Sequence, residues 1–99
     1  MNKRTKALAI SQAVKKAVYI RDKGICVLCG GQGDPVAHVV RRSQGGKGIE
    51  QNIVCLCSRC HREFDEGQNR EAAYCRIVTH LKHFYPDWNR ADMIYRKGE

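Results

Sequence analysis

The sequence has few of the residues that build large cores or membrane spans. Aromatic residues make up only 7% of its 99 positions, with one tryptophan and two prolines. No apolar run approaches the roughly 20 residues that a membrane-spanning helix needs. The apolar stretch at residues 7–10 is also too short for the hydrophobic part of a secretion signal. We therefore expect a small cytoplasmic protein that does not contact a membrane.

Acidic residues are also scarce. Ten Asp and Glu stand against 18 Lys and Arg, which gives a formal net charge of +8 and an isoelectric point near 9.4. A basic surface attracts phosphate backbones, and such binding weakens as salt is added. The composition is compatible with a nucleic acid as partner. Charge alone barely distinguishes a nucleic acid from an acidic protein or an anionic membrane, and the surface could also be basic only for solubility.

Cysteine, by contrast, is abundant. Four of the six cysteines form two Cys-x-x-Cys pairs, Cys26 with Cys29 and Cys57 with Cys60. Two such pairs can close a tetrahedral shell around one structural zinc ion, and in a reducing compartment this is favoured over three disulfides. A structural zinc contributes about 10–16 kcal/mol of apparent binding energy, as much as the whole stability of an ordinary domain. The metal-free chain is therefore expected to be unfolded or molten.

Hydrophobic periodicity divides the chain into a core with helices on either side. We predict one domain with a loose basic tail over 1–9, a helix over 10–24, a zinc-binding core over 25–67 and a helical part over 69–99. Strands are predicted at 36–40 and 53–56, and a short helix at 57–66. The last helix begins near Asn69 or Arg70 and ends before Pro86, followed by one further turn anchored by Trp88. Two helical stripes carry these assignments: Ile10, Ala13, Val14, Ala17 and Val18, and then Tyr74, Ile77, Val78, Leu81, Phe84 and Tyr85.

The central segment resembles the HNH nuclease family. The resemblance is carried by Ala-His-Val-Val at 37–40, Gly-Gly at 45–46, Asn-Ile-Val at 52–54 and Leu-Cys-Ser-Arg-Cys-His at 56–61. It implies a small α+β fold, a zinc-stapled ββα-metal core flanked by N- and C-terminal helices. It also implies a divalent-metal-dependent endonuclease that hydrolyses DNA and leaves 5′-phosphate and 3′-hydroxyl ends. RNA is not excluded as a substrate.

The same resemblance implies a role for each residue that gives the family its name. His38 would act as general base, since an imidazole with a pKa near ~6.5 can accept a proton at neutral pH. His61 would hold a catalytic divalent cation, Mg²⁺ or Mn²⁺, which neutralises charge that develops on the phosphate. Asn52 would fix the loop that orients the base.

One ligand of the catalytic ion has no obvious donor in this sequence. Many family members carry Asp or His directly before the base, whereas this chain has Ala37. Asp65 is the first substitute, because residues four apart share a helix face and Asp65 follows His61 at that spacing. Asp34 and Glu50 are weaker substitutes. The non-functional alternative is that Asp65 is a solvated helix charge near Arg62.

Basic residues around the two histidines are candidates for nucleic-acid contact. Arginine can clamp a phosphate through two parallel hydrogen bonds, so Arg42 is the first candidate. The non-functional alternative is that several of these charges only keep the surface soluble. The full set of candidates is Arg41, Arg42, Lys47 and Arg62.

A non-catalytic function remains open at this stage. Ala37 favours a zinc-knuckle module that only binds nucleic acid or a protein, and His61 could replace one cysteine as a zinc ligand. The remaining cysteines, Cys55 and Cys75, are expected to be small buried residues, with Cys55 pointing away from the zinc. His80 and His83 are expected to lie at the surface or partly buried, without a catalytic role.

Overall fold

A computed structural model of the chain describes residues 2–97. Met1, Gly98 and Glu99, at the outer ends of the predicted tail and C-terminal part, lie outside the described residues. The elements in chain order are α1 (Lys3–Leu8), α2 (Gln12–Asp22), β1 (Asp34–His38), β2 (Ile53–Leu56), α3 (Ser58–Glu66) and α4 (Arg70–Phe84). Three short 3₁₀ turns, Arg42–Gln44, Glu50–Asn52 and Arg90–Met93, complete the structure. This mixed architecture confirms the predicted small α+β class.

The two strands form an antiparallel pair that is covered on both faces. Successive side chains of a strand point to opposite faces, and both faces of β2 are covered, so all four of its residues are buried. Ile53 and Cys55 pack with Val18 of α2 in a small cluster. Val54 and Leu56 point the other way into the main core, which α3, α4 and the C-terminal segment close with Phe64, Ile77, Leu81, Trp88 and Met93.

The sheet contains one irregularity, and it lies two residues before the predicted base, His38. Pro35 pairs with Cys55 and Ala37 pairs with Val54, so Val36 is an extra residue in β1. Such a bulge bends a strand and changes the direction of the side chains that follow. Proline, which has no N–H to give to the ladder, is compatible with this position.

The start of the chain differs from its prediction. Residues 3–8 form a helix rather than a loose tail, and the Asn2 side chain caps it by accepting from the Thr5 N–H at 2.7 Å. The Leu8 side chain is 1% exposed. The sequence hid this helix because six residues are too few for a periodic pattern, and helices this short depend on tertiary contacts.

Most other predicted elements are present with shifted ends. The helix predicted over 10–24 is α2, which ends where Lys23 adopts a left-handed conformation with φ 58°. The first strand begins and ends two residues earlier than predicted, whereas β2 has the predicted bounds. The Trp88 anchor is confirmed, since its indole N–H donates to the Gln51 carbonyl at 2.7 Å.

Three predicted core positions are wrong. Ala13 is exposed although it falls on the apolar stripe of α2. Phe84 is 48% exposed although it falls on the apolar stripe of α4, because the helix ends at this residue and its ring is covered only in part, by His80, Tyr85 and the Arg21 guanidinium. Cys75 is exposed rather than buried, and lies on the solvent side of the same helix. Cys55 is buried in the α2 cluster and points away from the four paired cysteines, as predicted. Within residues 2–97, no helix combines the length and apolar character that crossing a membrane requires.

Candidate metal centre and histidine cleft

The four paired cysteines form one cluster. Their sulfur atoms all lie within 4.8 Å of one another, and the Sγ atoms of Cys29 and Cys57 are 3.8 Å apart. A zinc ion with Zn–S bonds of about 2.3 Å needs sulfurs at the corners of a tetrahedron with edges of about 3.8 Å. The cluster therefore fits a structural zinc ion. Among the residues that the structure describes, it is the only group of three or more Cys, His, Asp or Glu close enough to hold a metal.

Backbone N–H groups donate hydrogen bonds to two of the cluster sulfurs, which favours their thiolate form. The Gly31 N–H donates to the Cys29 sulfur and the Cys60 N–H donates to the Cys57 sulfur, both at 3.4 Å. The turn between the first two cysteines closes through the Gly30 N–H, which donates to the Cys26 carbonyl at 2.9 Å. Gly30 has φ +80°, a conformation that glycine adopts without strain.

The ionisation of the thiols reflects the same arrangement. Burial opposes the charge on Cys26, but backbone N–H groups of Cys57, Cys29 and Leu28 outweigh it and lower the pKa to about 6. Burial and the neighbouring thiols raise the pKa of Cys60 to about 12. Four sulfurs this close cannot all ionise without a cation between them, which is the environment that a divalent metal ion stabilises.

A separate cleft brings the two motif histidines together. It is an open cavity of about 330 Å³. An adjoining depression is also lined by both histidines, together with Ala9 and Ile10 from the segment between α1 and α2. Segments far apart in the sequence therefore meet at one site. The residues that line the main cavity are His38, Arg41, Arg42, Ser43, His61 and Asp65.

His38 is placed by the end of β1. Its backbone pairs with Ile53, immediately beyond the bulge at Val36. Its neighbour Ala37 is fully buried in the core, so the two side chains lie on opposite faces. The bulge and the strand pairing together direct the imidazole into the cleft.

The imidazole of His38 also contacts the N-terminal helix. Its Nε2 lies 2.9 Å from the carbonyl oxygen of Leu8. Because a carbonyl oxygen can only accept, Nε2 carries the proton and Nδ1 is left with a free lone pair. Burial lowers the pKa of His38, the Leu8 carbonyl partly offsets this, and the positive charge of Arg42 lowers it further. The ring is therefore neutral at physiological pH.

His61 and Asp65 form a pair on α3. The His61 Nε2 lies 3.2 Å from Asp65 Oδ2, and both side chains are partly exposed to the cleft. Arg41 donates to the Asp65 backbone carbonyl at 2.7 Å and so ties the end of β1 to α3. Two ligands of one octahedral Mg²⁺, with bonds of about 2.1 Å, lie about 3 Å apart. The 3.2 Å between the two atoms is therefore close to the spacing of two adjacent ligands of such an ion.

Asn52 lies outside the cleft and braces the loop behind it. It is fully buried, and its Oδ1 accepts from the Val40 N–H at 2.8 Å. Its Nδ2 donates to the carbonyls of Lys47 at 2.8 Å and Val40 at 3.2 Å. These contacts join both ends of the loop that follows His38.

The candidate contact residues divide into two groups. Arg41 and Arg42 line the cavity, so their charges face any ligand there. Arg62 is exposed on α3 but is not among the lining residues, and Lys47 is half-buried, with its backbone joining the loop to Asn52 and Met93. The cleft therefore has a positive wall formed mainly by the two consecutive arginines.

The weaker candidates for the missing ligand do not reach the cleft. Asp34 lies at the opposite end of β1 from His38. Glu50 accepts from the Tyr85 hydroxyl at 3.3 Å on another side of the molecule. Of the carboxylates considered from the sequence, only Asp65 lines the cavity with the histidines.

The remaining histidines lie elsewhere. His80 donates from Nε2 to the buried Asp22 carboxylate at 2.7 Å, whereas His83 is exposed on α4. Two parts of the cleft were missed by sequence reasoning: the side chain of Ser43 and the carbonyl of Leu8. A backbone carbonyl leaves no signal in a sequence, because every residue has one.

Comparison with known families agrees with this arrangement. Residues 26–64 match the family model described as HNH endonuclease. The matched segment begins at the first cysteine and ends in α3, so it contains all four cluster cysteines and both cleft histidines. No curated protein matches the chain.

Proposed function

We propose that this chain, which carries an HNH domain over residues 26–64, is a divalent-metal-dependent endonuclease that hydrolyses phosphodiester bonds in DNA. One observation carries the proposal: His38, His61 and Asp65 line a single cleft whose wall is positively charged. General acid–base chemistry, a cation site and a place for a phosphate are thus combined in about 330 Å³.

In this proposal His38 is the general base. The Leu8 carbonyl holds the proton on Nε2, so Nδ1 can accept a proton from an attacking water. The lowered pKa keeps the ring unprotonated at neutral pH and available for this step. Asn52 positions the base indirectly, since it braces the loop and does not contact the imidazole.

His61 and Asp65 are proposed to bind the catalytic cation, Mg²⁺ or Mn²⁺. Bound there, the cation would stabilise negative charge on the phosphate and on the departing 3′ oxygen. Arg41 and Arg42 are proposed to hold the substrate backbone in the cleft, with Lys47 and Arg62 extending the contact outside it. The products would carry 5′-phosphate and 3′-hydroxyl ends.

The four cysteines have a different proposed role. A zinc ion there would join the segment before β1 to the start of α3, and so hold His38 near His61. All six thiols are free of disulfides, which suits a reducing, cytoplasmic setting.

A plasmid cleavage assay tests the proposed reaction. The zinc-loaded protein should nick supercoiled DNA when Mg²⁺ or Mn²⁺ is added, and EDTA should stop the reaction. His38→Ala should lower the rate by ~10²–10⁴-fold, the usual contribution of a general base. The matched control is His83→Ala, which removes an exposed histidine outside the cleft and should cleave normally. Undiminished cleavage by His38→Ala would exclude the proposed base.

A second candidate function is a non-catalytic module that binds nucleic acid or a protein. Ala37 favours it, because this residue is fully buried and offers no ligand, so His61 and Asp65 are the only candidate cation ligands identified in the cleft. Titration of Mn²⁺ while the His61 resonances are followed by NMR separates the two functions. Binding to DNA without any metal-dependent broadening of His61 would favour the binding module.

A further inference from the structure

The N-terminal helix lies outside the matched segment, yet it contacts the proposed base directly. From this contact we infer that α1 is part of the catalytic centre and that the Leu8 carbonyl is a positioning group for His38. The inference rests on the proposed function, because it assigns a partner to the general base. It also makes a structural claim that can be tested without any cleavage: one tautomer of His38 is selected by Leu8.

The contact has the geometry of a firm hydrogen bond. The distance of 2.9 Å from His38 Nε2 to the Leu8 oxygen is typical of N–H···O bonds, and the imidazole is half-buried. A histidine on an open surface exchanges between two neutral tautomers, and only one leaves Nδ1 free to accept a proton. A fixed acceptor at Nε2 selects that tautomer and also fixes the plane of the ring.

Leu8 is held in place from two sides. Its side chain is 1% exposed, which anchors the end of α1 against the rest of the molecule. The preceding carbonyl, that of Ala7, accepts from the Gly48 N–H at 2.9 Å. The buried side chain and the hydrogen bond to the preceding carbonyl therefore fix the backbone that carries the Leu8 oxygen.

Gly48 connects this segment to Asn52. The Asn52 amide donates to the carbonyl of Lys47, and the next N–H along the chain, that of Gly48, donates to Ala7. A hydrogen-bonded path thus runs from the motif asparagine through the loop to α1, and from α1 to His38. This path explains how Asn52 can affect the base without touching it.

The close approach at Gly48 supplies a second way to test the contact. A methyl group added at Gly48 would lie 2.0 Å from the Ala9 carbonyl oxygen and 2.9 Å from that of Leu8. Both neighbours are backbone atoms, so the backbone of Leu8 and Ala9 and the backbone of Gly48 would have to move apart. Gly48→Ala is therefore expected to displace the Leu8 carbonyl from His38 without replacing any residue that lines the cleft.

Two substitutions in the full-length, zinc-loaded protein test the inference. Leu8→Ala removes the anchor of the carbonyl, and Gly48→Ala pushes the segment away. The matched control is Leu81→Ala, which removes an equally buried leucine from α4, far from the cleft in sequence and outside the residues that line it. Zinc content and thermal unfolding of each variant show whether the fold is retained.

The primary measurement is the tautomer of His38, followed through the ¹⁵N shifts of its ring at neutral pH, with His38→Ala to assign the signals. We expect a single Nε2–H tautomer in the wild type and in Leu81→Ala. Leu8→Ala and Gly48→Ala should show a mixture of tautomers. An unchanged tautomer in both, or the same mixture in Leu81→Ala, would overturn the inference.

Cleavage rates provide the second measurement. Leu8→Ala and Gly48→Ala should lose at least ~10-fold in rate, a part of the ~10²–10⁴-fold that a general base supplies. Leu81→Ala should cleave at the wild-type rate below its unfolding temperature. A mixed tautomer with undiminished cleavage would overturn the role of Leu8 in catalysis. If the wild type cleaves nothing, the proposed function fails, but the tautomer measurement still decides the structural claim.

Discussion

The cysteine cluster and the histidine cleft are built in different ways. The cluster takes two ligands from the turn before β1 and two from the start of α3, and local backbone N–H groups donate to two of its sulfurs. The cleft draws its parts from α1, β1, the following loop and α3, and the pair identified there for a cation is His61 and Asp65. A complete ligand shell supports tight, permanent binding, whereas a partial shell suits an ion that is shared with a substrate. We therefore expect the cluster to serve stability and the cleft to serve the proposed reaction.

This contrast predicts that losing the cluster has the largest effect. Cys26→Ser, or removal of zinc by a strong chelator, should unfold the protein, because about 10–16 kcal/mol of metal binding is comparable to the usual stability of about 5–15 kcal/mol. Circular dichroism and elemental analysis measure the outcome. Cys75→Ser, at an exposed cysteine outside the cluster, is the control and should keep its zinc and fold. A folded, zinc-free Cys26→Ser protein would contradict the structural role of the cluster.

A smaller loss of stability is expected at the buried charge network behind β2. The Asp22 carboxylate accepts from Arg21 at 2.8 and 2.9 Å, from His80 at 2.7 Å and from the Cys55 N–H at 3.0 Å. Burial alone would raise the pKa of Asp22, but these donors outweigh it and lower the pKa to about 2. Asp22→Asn should cost about 3–5 kcal/mol, as for other broken buried pairs.

Chemical denaturation at pH 7 measures this cost. The zinc stoichiometry should stay at one, since Asp22 contacts no cluster sulfur through its side-chain bonds. Asp87→Asn, an exposed carboxylate after α4, is the control and should unfold like the wild type. If Asp22→Asn lowered the free energy of unfolding by less than about 1 kcal/mol, the network would contribute no more than an exposed salt bridge, and the prediction would be wrong.

The cleft should lose ion affinity without losing stability. Asp65→Asn removes the charged member of the pair with His61. We expect the Mn²⁺ concentration for half-maximal cleavage to rise at least ~10-fold, because losing a residue that only hydrogen-bonds to a metal ligand already costs ~10-fold or more in metal affinity. The unfolding midpoint should not change, because Asp65 is exposed. Glu66→Gln, the exposed neighbour outside the lining residues, should behave like the wild type. If Asp65→Asn lowered thermal stability as much as Cys26→Ser, the proposal that the cluster stabilises the fold and the cleft binds the catalytic ion would be contradicted.

The smallest effect is expected at the positive wall of the cleft. Arg42→Ala should weaken DNA binding across sequences and reduce the slope of log affinity against log salt by about 1, as for one lost phosphate contact. Lys82→Ala removes an exposed charge from α4 and should leave the slope unchanged. Fluorescence anisotropy with a labelled duplex at several salt concentrations measures both. Equal slopes in the two variants would mean that Arg42 contributes only general charge.

The sequence by itself determined the parts whose signal is local. The Cys-x-x-Cys pairs, β2, α3 and the Trp88 anchor follow from spacing, alternation and side-chain size, each of which is readable within a few residues. The pairing of His61 with Asp65 also follows from helical spacing. The positions of these residues needed no knowledge of the rest of the chain.

Only the tertiary structure decided how the distant segments meet. The bulge at Val36, the burial of Ala37 and the exposure of Phe84 depend on what packs against each element. The helix α1 and the contact of Leu8 with His38 are invisible in the sequence, because a six-residue helix has no period and a carbonyl has no residue type. Long-range contacts are set by the packing of the whole chain, and that is the information a local pattern does not contain.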